Sequence, residues 1–287
     1  MFNTLKRTLT LGSLVFFALF ANLSVAQTVQ DADALAGPPD LLGIAERGKL
    51  VVAMTSFDNA PFYSVKDGHL EGIDVDLSED IAAALGVEVE FDRTAETFND
   101  VVAKVKNGEA DLAVSKISRT NSRALVVAFS NPYVRLKNAL MFNRLSLAQK
   151  SQGKDLGDYV REFNGNLGVI EKSSFANFAK TRFPNANIIA FKTWGEVVDA
   201  TISGTVDAAY RDEFEVRRIA EDRPETSISL RTVTIGDARD AIAVAVPWNA
   251  PRLLAIVNQV IDDRATELNA DDIIAMYRDS IAVEGAH

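Results

Sequence analysis

Residues 111–133 read DLAVSKISRTNSRALVVAFSNPY. An apolar strand, Leu112 to Val114, opens into Ser115, Ser118, Thr120 and Arg123, and a second apolar run then reaches the turn Ser130-Asn131-Pro132. A guanidinium is a planar fork that meets a carboxylate with two parallel hydrogen bonds, and hydroxyls or backbone amides beside it can satisfy the remaining lone pairs. The expected chemistry is the holding of an anion. For a lone arginine the ordinary alternative is a solvated surface side chain, so the surrounding elements have to decide.

Those elements alternate. Leu50 to Met54 is expected as a strand, Asp76 to Leu85 as a helix ended by Gly86, Val87 to Phe91 as a strand, Phe98 to Asn107 as a helix closed by Gly108, and Asp111 to Val114 as a strand. The pattern then restarts: strand Leu167 to Ile170, helix Ser173 to Thr181, strand Ile188 to Phe191, helix Trp194 to Ser203 before Gly204, and strand Asp207 to Tyr210. Each βαβαβ series implies a parallel sheet with covering helices. The fold class is therefore α/β with two lobes. Tyr133 to Lys137 and Gly236 to Asp240 are expected as two parallel crossovers forming a hinge, after which helices Ala250 to Arg264 and Ala270 to Ile281 rejoin the first lobe. Ligands of open α/β sheets sit outside the carboxyl ends of the strands, which here places a ligand between the lobes.

The residues quoted resemble the family 3 extracellular solute-binding proteins, the periplasmic receptors of amino-acid ABC importers. Asp111, Ser118, Thr120, Arg123, Phe129, Ser130, Pro132 and Tyr133 fall in place along one ungapped segment, Lys49 to Ala53 with Pro61-Phe62 looks like the first strand and its loop, and Gly72 to Leu77 and Val206 to Asp212 are similar to two further motifs. The resemblance covers roughly residues 45 to 280 and implies a type II periplasmic-binding-protein fold, two parallel-rich sheets joined by a two-strand hinge. The implied boundaries are a signal peptide at 1–26, a leader at 27–47, lobe 1 at 48–134 and 241–287, and lobe 2 at 135–240.

Carried over residue by residue, the resemblance assigns the ligand α-carboxylate to Arg123, hydroxyl and amide contacts to Ser118, a helix-terminal amide to Ser173 and the α-ammonium to Asp212. Helix capping is the competing role for both Ser173 and Asp212. Phe98 keeps an aromatic wall, whereas Asn59 stands where many relatives place an aromatic. Lys116 replaces a residue that is often glycine, and Arg211 adds a cation before Asp212; both are expected to face polar or acidic ligand side chains. Glu171 and Lys172 stand where relatives often carry Ala-Gly, and Glu171 is a candidate partner for Lys116.

The amino terminus reads as an export signal: Lys6 and Arg7, an apolar run from Leu9 to Ala21, and Ser24-Val25-Ala26 before Gln27. That apolar run is short for a membrane span. Cleavage after Ala26 and a soluble periplasmic protein are expected. The chain has no cysteine, which excludes disulfides and thiolate chemistry, and its only histidines are His69 and His287. No metal or cofactor is expected. A net charge of -10, more negative once Lys6 and Arg7 are removed, disfavours nucleic acid. The expected partners are a small ligand and an ABC permease, with the chain itself a monomer. Two other classes stay open: an enzyme like the cyclohexadienyl dehydratases, with Glu171 as general acid, and a module that presents its ligand to a separate sensor.

Overall fold

A computed structural model describes residues 39–264 and 267–284. The expected signal peptide and most of the expected leader lie outside these residues. The last leader residues, Pro39–Arg47, form a helix that buries Ile44 against the first strand's core.

The strands are β1 (Lys49–Thr55), β2 (Ser64–Lys66), β3 (His69–Glu71), β4 (Glu88–Ala95), β5 (Leu112–Ala113), β6 (Ala128–Asn143), β7 (Asn166–Ile170), β8 (Asn187–Phe191), β9 (Ala208–Asp212) and β10 (Leu230–Val246). Hydrogen bonding orders the main sheet β4-β1-β5-β10-β6-β9-β7-β8, with β2 and β3 as a separate hairpin. β1 is parallel to β4 and β5, and β7 is parallel to β8 and β9. Each half thus has the parallel core that its strand-helix alternation predicts.

Between the halves run β6 and β10, which pair antiparallel along nearly their whole length, from Leu230↔Asn143 to Val246↔Ala128. These are the two expected hinge crossovers, one leaving the first half and the other returning, within strands much longer than residues 133–137 and 236–240. The sequence hides both strands because Asn131-Pro132 and Gly236-Asp237 look like breaks. In the fold they are absorbed: the ladder shifts register between Ile235 and Arg239, and the hydroxyl of Ser130, two residues before the donorless Pro132, accepts from Val244 N at 2.9 Å.

Side-chain alternation along the strands divides the apolar core between the two sheet faces. On β1, Leu50, Val52 and Met54 pack under helix Ile73–Leu85 and the carboxyl-terminal helices Pro251–Asp263 and Ala270–Glu284, while Ala53 faces helix Phe98–Asn107. On β9, Ala208 and Tyr210 face helix Ser174–Arg182, and Ala209 faces helix Trp194–Ile202. Helix Ile73–Leu85 starts three residues earlier than expected, because Gly72 at φ 130 turns the chain directly into it. A Cβ at Gly72 would lie 2.5 Å from the carbonyl oxygen of Phe62 and 2.6 Å from that of Pro61, so the turn admits only glycine. Helices Arg144–Ser151, Leu156–Arg161 and Glu213–Asp222 are additional to those expected.

Candidate functional site

The loop after β5 and the end of β9 meet where the two halves face each other. Arg123 lies in the short helix Asn121–Ala124, whose first turn is capped by the Thr120 side chain accepting from Arg123 N. Arg123 is buried, and burial lowers its pKa to about 10, which leaves it charged at neutral pH. Nη1 donates to Ser118 O at 3.0 Å, and Nη2 and Nε donate to Asn99 Oδ1 at 3.0 and 3.3 Å. A guanidinium has five N–H donors, so one hydrogen on each terminal nitrogen remains for an anion.

Ser118 joins three elements. Its hydroxyl donates to Asp240 Oδ2 on β10 at 2.7 Å and lies 2.8 Å from Ser174 Oγ, at the start of helix Ser174–Arg182. A hydroxyl has one proton, so Ser174 is the donor in the second bond. Asp240 is buried and its Oδ1 has no hydrogen-bond partner among the described residues. Burial pushes its carboxyl up to about 6, with the Ser118 bond opposing.

Lys116 is the largest departure from expectation. Its backbone is left-handed at φ 48, a conformation that favours glycine. Buried Asp74 holds this turn: Oδ2 accepts from Lys116 N at 2.6 Å while Oδ1 accepts from Tyr133 Oη at 2.7 Å. Burial raises the Asp74 carboxyl to about 7 in spite of these bonds. From that turn the lysine reaches across the cleft. Nζ donates to Asp212 Oδ2 at 3.1 Å and to Glu215 Oε1 at 2.7 Å, over the rings of Phe62 and Phe214 at 4.8 and 5.0 Å. Glu171, the candidate partner, does not take this role; it lines the adjoining cavity with Asn59 and Lys172.

Asp212 and Glu215 belong to one charge cluster. Asp212 Oδ1 caps helix Glu213–Asp222 by accepting from Glu215 N at 3.1 Å, so the capping role is real. Arg211 lies 3.7 Å from Asp212 and 3.4 Å from Glu215, and Arg218 lies 3.4 Å from Glu215. Burial pushes the Glu215 carboxyl up, but Arg218, Lys116 and Arg211 outweigh it and hold the group well below the usual range. Arg211 also sits between two rings, its guanidinium carbon 5.8 Å from Phe98 and 5.4 Å from Trp194. Ser173 caps helix Ser174–Arg182 by accepting from Ala176 N and donates to Ile170 O, which occupies its hydroxyl.

A small cavity of about 20 Å³ is lined by Arg123, Ser118, Ser173, Phe98, Lys116, Arg211 and Asp212, together with Asp240, Ser174 and Tyr210. Asn59 instead borders a larger cavity of about 440 Å³, which shares Arg211 with the first and reaches Phe57, Trp194 and Arg218. Sequence reasoning missed Glu215, Ser174, Asn99 and Trp194. Only Glu215 left a trace, in the acidic run Asp212-Glu213-Phe214-Glu215.

The model of the bacterial extracellular solute-binding proteins, family 3, matches residues 50–278. The chain belongs to that family. Among curated relatives of this solute-binding protein, a probable histidine-binding protein of Campylobacter jejuni is 28% identical over 222 residues, 76% of this chain and 80% of that one. A membrane-bound lytic murein transglycosylase F of Idiomarina loihiensis is 26% identical over 235 residues, which span 80% of this chain but 49% of that enzyme. Among solved structures, an amino acid ABC transporter substrate-binding protein of Streptococcus pneumoniae bound to L-arginine is similar with a TM-score of 0.67 at 28% identity, covering 85% of this chain and 98% of that one. Among the described residues of the solute-binding protein, no helix is long and apolar enough to cross a membrane.

Proposed function

We propose that this solute-binding protein is exported to the periplasm, with its signal peptide cleaved after Ala26, captures a small amino acid or similar carboxylate between its lobes, and delivers it to the permease of an ABC importer. The observation that carries the reading is Arg123: a buried, charged guanidinium, held by three hydrogen bonds to Ser118 O and Asn99 Oδ1, with free hydrogens beside a cavity at the junction of the halves. Burying a charge without an ionic partner is costly, and an entering carboxylate supplies that partner. Ser118, Ser173, Phe98, Asn59, Lys116, Arg211 and Asp212 form the surrounding wall. Relatives named for histidine and glutamine binding support a ligand of amino-acid size.

The chain is read as a receptor and not as an enzyme. Glu171, which a dehydratase-like mechanism would use as general acid, borders the larger cavity and not the one at Arg123. The test is a thermal-shift screen of small carboxylates with and without amino groups. A ligand that binds only the folded form at 100 times its dissociation constant adds about 2.7 kcal/mol of stability. A folded protein that responds to no carboxylate contradicts the reading.

A further inference from the structure

Two buried cations already fill the places where a basic group of a ligand would go. The Asp212 carboxylate, which the family resemblance assigns to an α-ammonium, receives the Lys116 ammonium on Oδ2 and the Glu215 amide on Oδ1. The second carboxylate within reach, Glu215, carries Lys116, Arg211 and Arg218. Lys116, Arg211 and Arg218 face Asp212, Glu215 and, from Arg218, Asp222, so each carboxylate of this cluster already carries a cation before a ligand ammonium arrives. The slot between Phe98 and Trp194 is likewise filled, by the guanidinium of Arg211.

Around the larger cavity the hydrogen bonds left open include donors, while the unpaired acceptor Asp240 Oδ1 lies at the Arg123 end. Trp194 Nε1 is a buried donor with no hydrogen-bond partner among the described residues; Arg211 Nε and Arg218 Nε likewise make no hydrogen bond there and have only ion pairs with Asp212 and Asp222 at 3.7 and 3.4 Å, and all three residues line the 440 Å³ cavity. Trp194 and Arg211 are more than nine-tenths buried, at 9% and 7% exposure. Buried donors seek acceptors. Asp58, Glu96 and Glu171 also line this cavity, so the demand for an acceptor is local, at the buried Trp194 and Arg211 side chains.

We propose that the ligand is a carboxylate without an α-ammonium group: one carboxylate on Arg123, and acceptor oxygens of a second carboxylate, keto or hydroxyl group toward Arg211 and Trp194. Lys116 is the internal substitute for the missing ammonium. This inference rests on the reading of the cleft as a carboxylate site and specifies the class of ligand. Like-charge repulsion by Lys116 and Arg211 makes the selection, since specificity is a difference between two affinities.

The test is calorimetric titration of the wild-type protein with matched pairs: succinate and malate against aspartate, and glutarate and α-ketoglutarate against glutamate. The amine-free members are expected to bind on the order of tenfold or more tightly than their amino-acid partners. In Lys116→Met, which keeps the bulk and removes the charge, the gap is expected to narrow or reverse. The wild-type comparison stands even if that variant does not fold. Amino acids that bind as tightly as their amine-free partners overturn the inference and leave the carboxylate reading intact. If that binding is lost in Asp240→Asn, Asp240 is the ammonium acceptor, and the inference falls in the same way. A wild-type protein that binds neither member of any pair contradicts this inference, and one that is also silent in the wider carboxylate screen contradicts the reading beneath it.

Discussion

Asp240 shows how one residue can report on the cleft. Its carboxyl titrates at about 6 in the folded protein because burial disfavours the charge, with Ser118 opposing, and near 4 in an unfolded chain. Between those values the folded form keeps a proton that the unfolded form has released, so this residue's contribution to stability falls as pH rises through the window and stays low above it. Asp240→Asn removes that penalty. In urea unfolding the variant should exceed wild type by up to about 3 kcal/mol near neutral pH, with the difference fading toward about pH 4. A pH-independent difference would mean that the carboxyl is not perturbed. Arg123 and Ser118 could be read as candidates because one loop segment carries both, whereas Phe98 comes from the start of a separate helix. The partner of Lys116 was not, since Glu215 is 99 residues away and nothing local marks the pairing.

Among the elements, the turn into helix Ile73–Leu85 sets the geometry from which Lys116 projects, because Asp74 at its start anchors the Lys116 amide. Gly72→Ala would drive a methyl group into the carbonyls of Phe62 and Pro61, and backbone atoms cannot step aside. The expected loss is more than about 2 kcal/mol of stability, read from the chemical denaturation midpoint, because both backbone strain and a steric clash act there. A loss of a few tenths would show that the turn yields easily. Most strands and helices of both halves were readable from period and caps, for instance Phe98–Asn107 between Thr97 and the left-handed Gly108. The hinge strands were not, because their turn-like residues are held straight by pairing between Ala128–Asn143 and Leu230–Val246, which are far apart in sequence. Local propensity yields there to tertiary pairing.

Among the described residues, the contacts that tie one half to the other include Lys116 to Asp212 and Glu215, Ser118 to Ser174, Arg218 Nη1 to Ala60 O at 3.1 Å, and, at the last helix, Arg217 to Asp271 and Arg278 to Glu221. Hinge closure around a ligand is the motion such a fold supports, and Lys116 forms a buried ionic bridge between the halves. Lys116→Met should therefore open the ligand-free protein, seen as a larger radius of gyration in small-angle scattering; an unchanged radius would show that the bridge does not hold the halves together. The sequence predicted the two-lobed plan, but the closed cleft rests on contacts between side chains from different lobes, which no local pattern records. The central claim is that Arg123 grips the ligand's carboxylate. It is tested most directly by titrating the best carboxylate of the screen into wild type and Arg123→Ala, with circular dichroism confirming that both are folded. The account predicts a loss of about 2 to 5 kcal/mol in binding free energy, as for truncation of one partner of a buried charge pair. Undiminished affinity in the folded variant would contradict it.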